Sequence, residues 1–170
     1  MLLTLMQNLT PYADILLAQA REYLHGKKED NFAIILAHMA CEIETELSLT
    51  SLIQSRGGDP LLGTLLWKTV GIPMHLEGER VYRIYSNLSS DYPKGHKSLL
   101  AADWWETWKA SHKVRNNIVH GKANALAGQA ATAIEVSATY VKHVREKTEL
   151  AVKLAQAQSG IRPLAGPTYP

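Results

Sequence analysis

The sequence has almost no cysteine and no long hydrophobic run. Cys41 is the single cysteine among 170 residues, which excludes an intrachain disulfide and a multi-cysteine metal cluster. The apolar runs are far shorter than the roughly 20 residues that a membrane-spanning helix needs. The opening MLLTLMQN lacks the basic n-region and the long apolar core of a signal peptide. We therefore expect a cytoplasmic protein with no membrane partner, stabilised by its core.

Acidic residues are missing from one long stretch of the chain, between Glu106 and Glu135. Four basic residues and two histidines fall inside it: Lys109, Lys113, Arg115, Lys122, His112 and His120. The formal net charge of +2 does not by itself indicate a nucleic-acid partner. The local excess of positive charge suits a phosphate-bearing partner such as RNA, with the three lysines as candidate contacts. A solvated helix face explains the same residues equally well.

Helical patterning dominates, and no segment shows the sustained alternation of β-branched and aromatic residues that predicts a strand. Long amphipathic helices are expected at about residues 10–26, 29–56, 99–120 and 125–157, with short helices in PLLGTLLWKTV and LEGERVYRIYSNL. The predicted fold is all-α, an up-and-down bundle of four long helices with short accessory helices. It forms one domain over residues 1–158, followed by a proline- and glycine-rich tail at 159–170.

The stretch VRNNIVHG, residues 114–121, ends the third predicted helix. His120 followed by Gly121 is an ordinary helix C-terminus. Arg115 is harder to explain, because on a helical wheel that starts at Trp104 it lies at about 20°, inside an apolar arc. That arc contains Trp104, Trp108, Ser111, Ile118 and Val119. A permanently charged guanidinium in such a place needs a carboxylate, a set of carbonyls or a phosphate.

The second predicted helix offers a carboxylate. Its expected apolar arc consists of Phe32, Leu36, Met39, Ala40, Ile43 and Leu47. Glu46 lies within this arc and Glu42 lies at its edge. We expect one of these two carboxylates to pair with Arg115 and to hold it in place.

Arg115 and His120 are separated by about 140° on an ideal helix, so they cannot form a simple pair on one face. Two arrangements remain open. Either the helix unwinds by Gly121 and lets His120 swing round, or the working site joins Arg115 and His120 from two copies of the chain. Asn116 lies four residues before His120 and shares its face, so that it can orient the imidazole.

Arg115, the polar Asn116 and His120 match the R-x4-6-H motif, and the chain resembles the HEPN superfamily of small helical-bundle domains. WWETWKASHKVRNNIVHGKANALAGQAATAIEVSATYVKHV resembles the paired C-terminal helices of that superfamily. NFAIILAHMACEIETEL resembles the helix that carries its glutamate. The resemblance covers roughly residues 101–145 and, more weakly, 29–56.

The resemblance implies a homodimeric, metal-independent endoribonuclease that needs no cofactor. RNA cleavage by its own 2′-hydroxyl requires proton transfers, which suit His120, and a cation for the phosphoryl charge, which suits Arg115. Asn116 would position the imidazole or the phosphate. The resemblance also implies a toxin or antiphage effector, with an antitoxin or regulatory protein as a further partner. The alternative is a non-catalytic module for dimerisation or for binding nucleic acid or nucleotides.

Other candidate chemistry is weaker. His38 and Glu42, with Cys41 between them, could place metal ligands on one helix face, but Cys41 is typical of a small buried side chain and His38 of a surface or interface group. The other histidines that lie outside the motif show no ligand spacing: His25, His75, His96, His112 and His143. The sequence therefore predicts no metal. Tryptophans at helical spacing are expected in the core rather than in base stacking.

Overall fold

A computed structural model of the chain describes residues 11–58, 75–97 and 99–159. These residues form five α-helices and no strand: α1 (Tyr12–Glu22), α2 (Asp30–Ser55), α3 (Glu79–Ser89), α4 (Trp105–Val119) and α5 (Gln129–Ser159). The all-α prediction is confirmed. Of the helices described, none is long and apolar enough to cross a membrane.

The first two predicted helices agree with α1 and α2. A π-helical turn, Tyr23–Lys27, extends α1, and Lys28 adopts a positive φ of 56° before α2 begins. Of the two short predicted helices, LEGERVYRIYSNL contains α3, while PLLGTLLWKTV lies outside the described residues. The helix α5 includes Ser159, and the rest of the predicted tail also lies outside them.

The predicted start of the third helix at about residue 99 was wrong, because α4 begins at Trp105. The preceding segment is folded back on itself: the backbone of His96 pairs with that of Leu99 in an isolated bridge. The absence of a side chain at Gly95 permits this close approach, because a Cβ at that position would lie only 2.9 Å from the Leu99 carbonyl oxygen. The backbone groups of this segment are thus committed to the turn and not to a helix.

The predicted start of the last helix at about residue 125 is four residues early. The backbone N–H of Ala125 donates to Asn31 Oδ1 over 2.8 Å, and Gly128 adopts a positive φ of 82° before Gln129 opens α5. The loop after α4 is therefore tied to the first turn of α2.

The core forms around α2 and α5, which make the most extensive helix pair. Cys41 Sγ approaches the Ser137 carbonyl oxygen, and Thr45 Oγ1 lies 2.6 Å from Tyr140 Oη. Because both residue numbers increase together, the two helices run in the same direction. On α4 the order is opposite, since Trp104 packs against His143 and Trp108 against Tyr140. The helix α4 thus runs antiparallel to α5.

The apolar arc predicted for α2 was wrong in part: Ala40 is buried and Leu36 and Ile43 pack against the core, but the other three members lie on the outward side. Phe32, Met39 and Leu47 are 54%, 37% and 49% exposed. The inward side carries mostly small or polar residues: Ala33, Ile34, Ala37, His38, Ala40, Cys41, Glu44, Thr45, Ser48, Leu49 and Leu52. Small side chains on this face let neighbouring helices approach closely, so shape rather than hydrophobicity selects the buried face.

A charged cluster joins three helices at the side of the bundle. Arg145 of α5 donates to Glu44 of α2, with Nη2 2.7 Å from Oε2, and to Asp14 of α1, with Nη1 3.0 Å from Oδ2. Glu44 is buried. Its charge is therefore compensated by a guanidinium that links α1, α2 and α5.

Candidate functional site

Arg115 is held by two neighbours. Its Nη2 donates to Glu42 Oε1 and its Nη1 donates to Asn116 Oδ1, both over 3.0 Å. The side chains of Arg115 and Glu42 are 20% and 26% exposed. The expected pairing of Arg115 with one of two carboxylates is confirmed for Glu42. Glu46 is partly buried, like Glu42, but forms no ion pair with Arg115 in the described part of the chain.

The position of Arg115 follows from its place along α4. One face of the helix carries Trp108, Ser111, Arg115 and Val119. Along that face the first two residues are buried, Arg115 is partly buried and Val119 is exposed. The sequence predicted this face correctly, but it placed Val119 too deep. Arg115 therefore lies at the rim of the core, where a carboxylate and solvent both reach it.

The end of α4 is a regular C-terminal cap. Gly121 adopts a left-handed φ of 65°. Its N–H donates to the Ile118 carbonyl oxygen over 2.9 Å, and the N–H of Lys122 donates to the Asn117 carbonyl oxygen over 2.8 Å. These two bonds define the Schellman motif, in which glycine avoids the steric cost of a positive φ.

His120 follows the last residue of α4, and its N–H donates to the Asn116 carbonyl oxygen over 3.0 Å. The helix therefore stays wound up to this point, and the arrangement in which unwinding brings His120 to Arg115 is not observed. The imidazole of His120 is exposed and has no hydrogen-bond partner among the residues described. Within a single chain, His120 thus forms no contact with Arg115 among those of the described residues.

The three predicted RNA-contacting lysines differ in their surroundings. Lys109 forms an ion pair with Glu106 over 2.9 Å. Lys113 and Lys122 are exposed and form no ion pair within the described ranges. The positive charge that remains uncompensated near the end of α4 therefore comes mainly from these two residues.

The tryptophans lie in the core, as the sequence predicts. Trp108 is fully buried and Trp105 nearly so, while Trp104 is partly buried. The Trp108 ring stacks on Tyr140, with ring centroids 4.8 Å apart. These rings stabilise the contact between α4 and α5, and the buried pair is not accessible for base stacking.

Three histidines cluster around Trp108, which the sequence did not predict. The ring of His112 stacks on Trp108 at 5.3 Å, and the His75 and His38 rings lie 4.2 Å and 5.5 Å from His112. The prediction of His38 as a surface or interface group was wrong, because it is buried with its Nε2 2.9 Å from Ser111 Oγ. The three residues come from separate segments, so no spacing in the sequence indicates their proximity.

Burial keeps these imidazoles uncharged at neutral pH. It lowers the pKa of His38 to about 3 and that of His75 to about 4, and both the positive charge of Arg115 and the neighbouring imidazole of His112 disfavour protonation further. Burial also lowers the pKa of His112, although Glu77 opposes the shift. The Glu77 carboxylate is the hydrogen-bond partner of His112, with Oε2 2.6 Å from Nδ1.

His75, Glu77 and His112 bring three potential metal-ligand atoms within 4.8 Å of one another. The set that the sequence suggested and set aside does not form: His38 bonds to Ser111 and Glu42 pairs with Arg115. The fold thus gathers a ligand-type cluster from residues that are not adjacent in the sequence.

Comparison with known proteins gives no assignment. No protein-family model matches the chain, and neither do any curated proteins or solved structures. The resemblance to the HEPN superfamily therefore stays a prediction, carried by the motif and by the surroundings of Arg115.

Proposed function

We propose that the chain is a HEPN-like, metal-independent endoribonuclease that acts as a homodimer and cleaves RNA by attack of its 2′-hydroxyl. The observation that carries this proposal is the fixed guanidinium of Arg115, held between Glu42 and Asn116 five residues before His120. The side chain of Arg115 is one-fifth exposed, so a ligand from solvent can reach the guanidinium that these neighbours hold in place.

Arg115 is suited to contact the scissile phosphate. A guanidinium has five N–H donors, and the contacts with Glu42 and Asn116 engage only two of them. Because the side chain is already oriented, less conformational entropy is lost when a phosphate binds. Arg115 would stabilise the negative charge that develops on the phosphoryl oxygens.

His120 would be the proton-transfer group of a site shared between two chains. Its exposed imidazole is free to meet a second copy, and a general acid or base must come within hydrogen-bond reach of the reacting atoms. Apolar surface lies beside the site: the exposed Met39 is three residues before Glu42 on α2, and the exposed Val119 is four residues after Arg115 on α4. Such a surface favours association with a second copy.

RNA is the substrate that fits the charge distribution. Lys113 and Lys122 are unpaired cations near the end of α4, and no acidic residue occurs between Glu106 and Glu135. Lysine contacts to phosphates give binding that weakens as salt increases. We further propose that the chain acts as a toxin or antiphage effector and is controlled by an antitoxin or regulatory protein. This part of the proposal rests on the HEPN resemblance alone.

A non-catalytic dimerisation or nucleotide-binding module is the second candidate. The observation that favours it is the regular Schellman cap at Gly121, which explains His120 as an ordinary helix end. In that case the pair of Arg115 with Glu42 would only stabilise the bundle.

RNA cleavage in excess chelator separates the two candidates. We expect the native chain to cut single-stranded RNA, and Arg115→Ala or His120→Ala to lower the rate about 100-fold or more while light scattering still shows a dimer. His25→Ala, an exposed histidine near a helix end, is the matched control and should cut normally. If the native chain cuts no RNA, or if the substitutions only dissociate the dimer, the module is the correct function.

A further inference from the structure

The cluster of His75, Glu77 and His112 consists of residues that the proposed RNA site does not use, although it adjoins Lys109, Lys113 and Asn116 in one cavity. His75 and Glu77 belong to the turn before α3, and His112 projects from the buried face of α4. Their ligand atoms lie within 4.8 Å of one another. Two imidazoles and one carboxylate form a frequent ligand set for Zn²⁺ and for other divalent transition metals.

Two buried ring nitrogens in this cluster have no hydrogen-bond partner among the described residues, namely His75 Nδ1 and His112 Nε2. Both side chains are more than nine-tenths buried. Buried polar atoms in folded proteins are nearly always satisfied by protein, water or an ion. Because the ring of His112 already faces Glu77 through Nδ1, the unsatisfied Nδ1 of His75 is the atom that indicates a ligand supplying a missing contact.

The ligand atoms, which lie within 4.8 Å of one another, have to adjust their spacing to hold an ion. His112 Nδ1 lies 2.6 Å from Glu77 Oε2, whereas two ligand atoms of a tetrahedral zinc ion lie about 3.3 Å apart. Glu77 is exposed and can rotate to make this change.

The ion would have a route from solvent. Glu77 and His112 both line a cavity of about 270 Å³. Two nearby cations are compensated, because Arg115 pairs with Glu42 and Lys109 pairs with Glu106, so their repulsion of a divalent cation is reduced. Lys113 lines the same cavity without an ion pair among the described residues, but it is exposed, and solvent screens its charge.

We infer that His75, Glu77 and His112 form a binding site for a divalent transition-metal ion, best matched by Zn²⁺. Nitrogen ligands disfavour Mg²⁺ and Ca²⁺, which prefer oxygen, and the set contains no thiolate for Cu⁺. Three protein ligands leave the fourth position of a tetrahedral ion for water. The ion would tie the turn before α3 to α4 and so stabilise the bundle.

Zinc binding to the metal-free chain tests this inference without RNA, and its outcome is independent of the proposed ribonuclease. In isothermal titration we expect one Zn²⁺ to bind per chain, and in separate samples Co²⁺ should give the visible absorption of a tetrahedral complex. Zn²⁺ at about 100 times its Kd should raise the Tm by roughly 5–10 °C.

Glu77→Gln is the decisive variant, because its exposed side chain can change without disturbing the core. Losing an outer-shell partner weakens metal binding by about 10- to 100-fold, so losing a direct ligand should weaken it by about 100-fold or more. His112→Ala should also abolish binding. His96→Gln, at an exposed histidine, is one matched control and should bind Zn²⁺ normally. Glu106→Gln changes another carboxylate of the same cavity and should weaken binding far less than Glu77→Gln, because it removes only the charge that compensates Lys109.

Two results would overturn the inference. One is an absence of Zn²⁺ binding by the native chain at micromolar concentrations. The other is binding that Glu77→Gln leaves unchanged, or that Glu106→Gln weakens equally, since either result would assign the ion to non-specific charge in the cavity.

Discussion

Replacing Glu42 by Gln removes one charge from the pair with Arg115 and keeps the shape of the side chain. The guanidinium then stays partly buried, with Asn116 as its remaining partner. The substitution therefore measures what the carboxylate contributes to holding Arg115.

The loss in free energy of unfolding that we expect from Glu42→Gln lies between two known limits. Exposed ion pairs contribute about 0.2–1 kcal/mol, and removal of one partner from a fully buried pair costs about 3–5 kcal/mol. Because Arg115 and Glu42 are 20% and 26% exposed, we expect Glu42→Gln to lower the free energy of unfolding by about 2 kcal/mol. For a chain of this size that corresponds to a Tm roughly 4–8 °C lower.

Urea unfolding followed by tryptophan fluorescence measures this change, with Glu46→Gln as the matched control. Glu46 lies one turn further along α2 and forms no ion pair among the described residues, so its substitution should change the unfolding free energy by less than about 0.5 kcal/mol. A double-mutant cycle with Arg115→Met should assign most of the loss to the pair. Equal effects of the two glutamine substitutions, or a coupling energy near zero, would refute the reasoning.

Three further predictions concern the core. Arg145→Met should lower the unfolding free energy by about 3 kcal/mol, because the buried Glu44 loses its charge partner; a loss below about 0.5 kcal/mol in urea unfolding would contradict this. Burial raises the pKa of the Cys41 thiol to about 12, so iodoacetamide at pH 8 should alkylate it only after unfolding. Since the unfolded thiol ionises near its ordinary value of 9.0, its contribution to stability should be complete below pH 9 and should fall as the pH rises toward 12. Trp108→Ala should cost about 3–5 kcal/mol in the same unfolding assay, and a cost near that of a surface substitution would show that its ring is not part of the core.

Helical periodicity and the chemistry of a buried charge made part of the structure predictable. The all-α fold, the extent of α2 and the pairing of Arg115 with a glutamate all follow from single-helix patterns. The inward face of α2 does not follow from such patterns, because a helical wheel assumes that the large apolar residues point inward. In α2 the close approach of α5 favours Ala37 and Cys41 there, and Phe32 and Met39 lie outside.

The histidine cluster was beyond prediction for a different reason. His112 and Glu77 are 35 residues apart in the sequence, and they meet only because the turn before α3 packs against α4. The start of α4 was missed because of a local turn, in which the backbone of Gly95 closely approaches that of Leu99 four residues later. Neither the tertiary contact nor this turn leaves a periodic signal in a single sequence.

RNA cleavage by a mixture of two inactive variants tests the shared site most directly. Arg115→Ala and His120→Ala chains are unfolded, mixed in equal amounts, refolded together and assayed in excess chelator, with circular dichroism to verify that they are folded. If each site combines Arg115 of one chain with His120 of its partner, random pairing into two-fold dimers restores roughly a quarter of the native activity. A native chain that cuts RNA and a mixture that stays as inactive as its components would contradict the shared site, and a native chain without activity would contradict the ribonuclease itself.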